Sequence, residues 1–150
     1  MRDDLPLSVT HEVRDRCLCL HLQRAARAIG RRFDEALKPV GLTHGQYSIL
    51  VALNRPEAPR IGDVARLLAM DRTTLTANLK PLERRGLLRV VRDEKDRRGR
   101  RLCLTDAGRD VLVAAVPIWR ATHDAIDALV RRGNLERLRN DLLALTFAGR

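Results

Sequence analysis

Six basic side chains, Arg92, Lys95, Arg97, Arg98, Arg100 and Arg101, fall within ten residues of one another. Most of them lie on DEKDRRGR (93–100), a loop that offers no single helical face. Arginines at this density hold a polyanion, and the negative potential of a narrow minor groove suits them. Just upstream, Leu75, Leu79 and Leu82 recur at spacings of four and three and face inward. That leaves Arg72, Thr73, Thr74, Thr76, Asn78 and Lys80 facing out. Short hydroxyls, an amide and two cations are the groups that hydrogen-bond to base edges in a major groove. Other chemistry finds no support. There is no Gly-rich phosphate loop, HExxH or GxSxG, so no enzyme and no cofactor are expected. His11, His21, His44 and His123 lack metal-ligand spacing. Cys17, Cys19 and Cys103 form neither a CxxC pair nor a disulfide framework.

These two sets must be held by the elements around them. IGDVARLLAM (61–70) reads as a short amphipathic helix. DRTTLTANLKPLERRG (71–86) reads as a second helix, capped by Asp71 and closed by Gly86. Pro81 inside it predicts a bend or a loosened turn. LLRVVR (87–92) is a strand, 93–100 a loop and RLCL (101–104) the returning strand. Helix, turn, helix, strand, loop, strand is a winged helix-turn-helix, whose usual ligand is double-stranded DNA.

The flanks are helical. From Glu12 to Leu37, apolar residues recur at three and four, and Pro39 and Gly41 end the run. Residues 1–10 read as a loosely held polar tail. A helix of this length spans about 38 Å, more than a core of this size can cover, so part of it should pack on another chain. Thr43 caps the next helix, with Gln46 as its capping-box partner. Beyond the hairpin, Thr105 caps a long helix expected to run to about Arg132, kinked near Pro117. A last helix covers 135–147, with Leu135, Leu138, Leu142 and Leu145 on one stripe. The fold class is therefore mainly α with a small β-hairpin wing. The winged helix-turn-helix region (61–104) lies between dimerisation helices at 12–40 and 105–148.

Composition agrees. Lys and Arg outnumber Asp and Glu by 29 to 19, a formal net charge of +10, which favours a polyanionic partner. The 45% hydrophobic content supports a core, and the 3% of aromatics leaves it to Leu, Val, Ala and Ile. The N-terminus shows no signal peptide, VLVAAVPIW (111–119) is too short to span a bilayer, and a reducing cytoplasm is the expected location.

Together, RIGDVARLLAMDRTTLTANLKPLERRGLLRVVRDEKDRRGRRLCLTDAG and LQRAARAIGRRFDEALKPVGLTHGQYSIL (22–50) resemble the MarR (multiple antibiotic resistance regulator) family of bacterial transcription factors. The marks are Asp71-Arg72 at the start of the second helix, LERRGLL (82–88), Asp96-x-Arg98 in the wing, and LTDAG (104–108). The resemblance covers about residues 13–147. It implies a triangular homodimer, usually a repressor, whose two winged domains enter successive major grooves of a pseudo-palindromic operator. It also implies that Asp96 positions Arg98 through a salt bridge. The DNA-binding set is then Arg72, Thr73, Thr74, Thr76, Asn78 and Lys80, with Asp96, Arg97, Arg98 and Arg100 in the wing.

Family members are released by a small aromatic acid or by oxidants. For an aromatic or phenolic effector, apolar walls and a cation are needed, and Arg27, His44, Tyr47, Trp119 and His123 supply them. Trp119 equally suits a dimer core, and the two histidines suit solvated surface. Cys19, 27 residues before Gln46, resembles in position the reactive cysteine of the family's organic-hydroperoxide sensors. Gln23 and Phe33 replace the tyrosines of those sensors, so the hydrogen bonds that favour a thiolate are expected to be missing. A third reading is an effector-free architectural winged-helix protein.

Overall fold

Side-chain caps at Thr43, Asp71 and Thr105 set the starts of three of the helices. In the computed structural model, described for residues 4–93, 96, 99–130 and 133–147, seven α-helices accompany one two-stranded hairpin. The helices are α1 (Leu7–Arg16), α2 (Leu18–Leu37), α3 (His44–Leu53), α4 (Ile61–Leu67), α5 (Arg72–Arg84), α6 (Asp106–Asp127) and α7 (Leu135–Phe147). The strands are β1 (Leu88–Arg92) and β2 (Arg100–Leu104). Two compact units comprise residues 1–32 and 33–150. No described helix is long and apolar enough to cross a membrane.

The first unit departs from expectation. The apolar periodicity predicts one helix from Glu12, with a loose tail before it. Instead residues 7–16 are already helical, and the chain breaks at Cys17, whose backbone is extended (φ −73°, ψ 100°). No proline or glycine marks this break. Cys17 acts as a cap, because its Sγ accepts the Leu20 N–H at 3.4 Å, while the Cys17 carbonyl accepts the His21 N–H at 3.1 Å. No residue of α1 is buried, and Leu7, Val9 and Val13 are 39–51% exposed.

The second unit holds the core. Leu37, Ile49, Leu50, Leu75, Leu82, Leu88 and Leu102 are almost wholly buried. Each contributes at most about 1.5–3 kcal/mol by area. The α3 capping box forms as expected, with the Gln46 N–H donating to Thr43 Oγ1 and the Thr43 N–H to Gln46 Oε1. The helix-turn-helix forms too, with shorter helices than the pattern predicts. α4 stops at Leu67, and its end is a Schellman turn: the Met70 N–H reaches the Ala65 carbonyl and the Ala69 N–H reaches Arg66. The left-handed position of that turn is Ala69, at φ +49°. The same turn closes α5, but there the left-handed residue is Gly86.

Neither internal proline breaks its helix: α5 passes Pro81 and α6 passes Pro117. The carbonyls they deprive of an i+4 donor belong to Ala77 and Val113, both exposed residues. α6 ends at Asp127, short of the expected Arg132.

The hairpin pairs Leu88 with Leu104, Val90 with Leu102 and Arg92 with Arg100. Leu88, Leu102 and Leu104 face the core, and the alternate positions are at least partly exposed. Arg60 adds a one-residue bridge to Arg101, and the Leu102 N–H donates to the Pro59 carbonyl, so the segment before α4 extends the sheet. LTDAG acquires a physical reading here. Leu104 is buried, Thr105 Oγ1 caps α6 by accepting the Gly108 N–H, and Thr105 donates its hydroxyl to the Gly86 carbonyl. A side chain at position 108 would come within 2.1 Å of the Leu87 carbonyl, so only glycine lets α6 start so close to the hairpin.

Candidate nucleic-acid interface

α5 is fixed from beneath and from its first turn. Leu75, Leu79 and Leu82 anchor its inner face in the core. Asp71 caps it, accepting the Thr74 N–H at 2.8 Å and the Thr74 hydroxyl at 2.6 Å. Those hydrogen bonds, that of the side chain first, hold the Asp71 carboxyl below its ordinary range. At about 100° per residue, the positions directly opposite the leucines are 73, 77, 80 and 84. The outer line is therefore Thr73, Ala77, Lys80 and Arg84, all exposed. Ala77 and Arg84 were not singled out from sequence, although the same periodicity that marks the leucines also marks them.

The other expected readers occupy the flanks. Thr74 is engaged in the cap. The Thr76 hydroxyl donates to the Arg72 carbonyl at 2.7 Å. Asn78 is half-buried, donates to the Thr74 carbonyl at 2.9 Å, and lies beside Gly45 at the start of α3. Arg72 is exposed, on the flank toward the wing.

The wing is organised by a buried acid. Asp93 is 3% exposed, and its Oδ2 takes Arg60 Nε at 2.7 Å and Arg101 Nε at 3.1 Å. Arg101 also donates to the Ala58 carbonyl at 2.7 Å. A carboxylate removed from water is tolerated only when it is paired this way. The Asp93 N–H donates to the Gly99 carbonyl, and the Gly99 N–H to the Asp96 carbonyl. A side chain at Gly99 would press on Asp93 Cβ at 2.9 Å. The expected positioning pair was Asp96 with Arg98; Arg97 and Arg98 lie outside the described residues. Sequence reading missed Asp93 because it looks like one more charge in a charged loop. Its only signal is its place, directly after an alternating strand.

The effector candidates separate. A cavity of about 440 Å³ opens between α3, the end of α4 and α6. Tyr47 and Trp119 line it, with Ser48, Val51, Leu67, Val116 and Arg120. Burial pushes the Tyr47 phenol up, against the opposing charge of Arg120. Arg120 is thus the cation at this wall, and sequence reading missed it. His44 is engaged elsewhere: its backbone N–H and its Nδ1 lie 2.7 and 2.8 Å from Asp34 Oδ1. Burial acts to raise the Asp34 pKa, but these contacts outweigh it and hold the carboxyl below its ordinary range. His123 is not part of the cavity wall. It stacks on Trp119, ring centres 4.8 Å apart, and lies 3.3 Å from Arg139 and 3.6 Å from Asp127. Arg27 is exposed on α2. On the same helix Cys19 is exposed and its Sγ accepts a hydrogen bond from Gln23 Nε2 at 3.2 Å. Gln23 therefore supplies a donor where the sequence suggested that none remained.

A two-helix turn whose second helix presents an exposed polar face beside a basic hairpin defines a winged helix-turn-helix protein. The MarR family model matches residues 40–99. The chain is similar to the transcriptional regulator MosR of M. tuberculosis, solved in complex with DNA. Identity is 38% and the TM-score 0.78, over 87% of this chain and 93% of that one. It is also similar to a transcriptional repressor, CouR, bound to a 23-mer DNA duplex (31% identity, TM-score 0.78, 94% and 97% of the two chains). CouR bound to p-coumaroyl-CoA matches at 28% identity and a TM-score of 0.79, over 91% and 96% of the two chains. The transcriptional activatory protein BadR of Rhodopseudomonas palustris is 36% identical over 113 residues, 73% of this chain and 65% of BadR. The chain spans about half to two thirds of the length of the curated relatives it matches. This protein belongs to the MarR family of winged-helix transcriptional regulators.

Proposed function

We propose that the chain is a sequence-specific, homodimeric repressor that binds a pseudo-palindromic operator in double-stranded DNA. The observation that carries this reading is the exposed outer line of α5, Thr73, Ala77, Lys80 and Arg84, beside a wing fixed by Asp93. Small neutral residues followed by two cations let a helix approach base edges closely, while the wing arginines hold the backbone. MosR and CouR, both solved on DNA, support it. Repression follows CouR; BadR, named an activator, is the alternative. The apolar residues exposed on α7, Leu138, Leu142, Leu143 and Leu145, support a second copy as partner, and two-fold symmetry then calls for two half-sites. DNA as ligand makes the cytoplasm the working location.

Release follows entry of a small aromatic or phenolic acid into the cavity at Tyr47 and Trp119. Its volume is in the range of small-molecule sites, and Arg120 offers the carboxylate a partner. That CouR is solved with p-coumaroyl-CoA supports a phenolic ligand class. The test is selection of bound duplex from a random pool, repeated with aromatic acids. A palindromic consensus that an acid releases from the wild type, and not from Arg120→Ala, is expected. Binding without any preferred sequence would favour an architectural protein instead.

The exposure of the Cys19 thiol, with Gln23 Nε2 3.2 Å from its Sγ, favours a second reading, a thiol switch at Cys19. Peroxide should then release DNA from the wild type. Release that persists in Cys19→Ser would eliminate that cysteine.

A further inference from the structure

Between the wing, α4 and the first turn of α5 lies a cleft of about 500 Å³. Arg60, Arg66, Arg72 and Arg100 line it, with Asp63 and Asp96. Four guanidinium groups against two carboxylates leave it net positive. The four cations are not equivalent. Arg60 is bound through Nε to the buried Asp93 at 2.7 Å, so it belongs to the wing's own framework. Arg66 is exposed and touches Asp63 only loosely, at 3.5 Å. Arg72 is exposed, and its guanidinium makes no hydrogen bond or ion pair among the described residues. On the helical wheel it lies nearer the leucine stripe than the outer line, on the side that faces the cleft.

A guanidinium fork matches the oxygens of a phosphate, and two of them converging suit one phosphate group. The cleft is open to solvent and built across three elements. It therefore suits a group carried on an extended chain better than a small enclosed ligand. With Arg60 taken up by Asp93, the remaining three guanidinium groups against Asp63 and Asp96 leave one net positive charge, which one phosphodiester neutralises.

We propose that this cleft seats one backbone phosphate of DNA, clamped by Arg66 and Arg72, and that Arg72 thereby positions α5 instead of reading a base. The inference rests on the DNA-binding reading above and assigns a further site within it. Phosphate contacts fix register on the duplex, whereas base contacts specify sequence. The outer line of α5 then reads bases, and the cleft sets the depth and angle at which it does so.

The experiment compares wild type, Arg66→Ala, Arg72→Ala and the two Lys variants. Each is titrated against a selected operator and an unrelated duplex of equal length, over salt from about 50 to 200 mM. Both side chains are exposed, so melting temperatures should match the wild type. Each Ala variant should lose the same factor on both duplexes, about five- to tenfold, and the salt slope should fall by about one ion per engaged protomer. The Lys variants should restore the slope, and the sequence selected by Arg72→Ala should be that of the wild type. An unchanged affinity and slope, or an altered consensus for Arg72→Ala, overturns the cleft assignment while leaving DNA binding intact. If the wild type binds neither duplex, the DNA-binding reading falls, and the cleft with it.

Discussion

α5 and the wing are neighbours held by opposite means. α5 rests on three buried leucines, and the donors of Thr74, Thr76 and Asn78 turn back onto its own first turns. The wing contributes a few core leucines, but its base is held by one buried carboxylate, Asp93, between two arginines. Apolar anchoring involves no charge, whereas the ion triad depends on a carboxylate that is tolerated out of water only while it stays paired. The surface proposed to read sequence is thus built on many apolar contacts, and the surface proposed to grip the backbone on one shared acceptor.

The contrast can be broken from either side. Leu75→Ala removes a fully buried side chain beneath α5. It should cost about 3 kcal/mol, read as a lower denaturation midpoint that varies little with salt. Asp93→Ala should cost about 2 kcal/mol by leaving Arg60 and Arg101 without their shared acceptor. Its DNA affinity should fall while the selected consensus stays the same, which separates grip from reading. Asp71→Ala should lower the melting temperature by a few degrees at neutral pH. The folded Asp71 carboxyl titrates below its unfolded value of about 3.9. Its contribution is therefore complete above that value and disappears as pH falls through the lower folded one, so wild type and variant should converge in strong acid. Ala69→Gly should raise stability by about 0.5–1 kcal/mol in a denaturant titration, because the backbone there is left-handed.

What could be read in advance follows the same division. The leucine spacing of α5, the caps at Thr43, Asp71 and Thr105, and the Gly86 turn are local rules, and each appears as expected. The break at Cys17 was not legible, since apolar periodicity runs on through it and a sulfur cap replaces any breaker residue. Asp93 and Arg120 were not legible either. Their roles come from burial and from the approach of elements distant in sequence, which a linear pattern does not contain. The left-handed turn after α4 escaped because its residue is Ala69, where glycine is the usual signal.

One detail of the hairpin reaches into handling the protein. Arg92 stands in register with Arg100 at the mouth of the wing, and like charges paired across strands oppose folding. A bound polyanion relieves that repulsion, and whatever binds only the folded chain raises its apparent stability by mass action. With a formal charge of +10, a preparation that retains cellular nucleic acid will melt higher than a stripped one. The ratio of absorbance at 260 and 280 nm belongs beside every melting temperature measured on this protein.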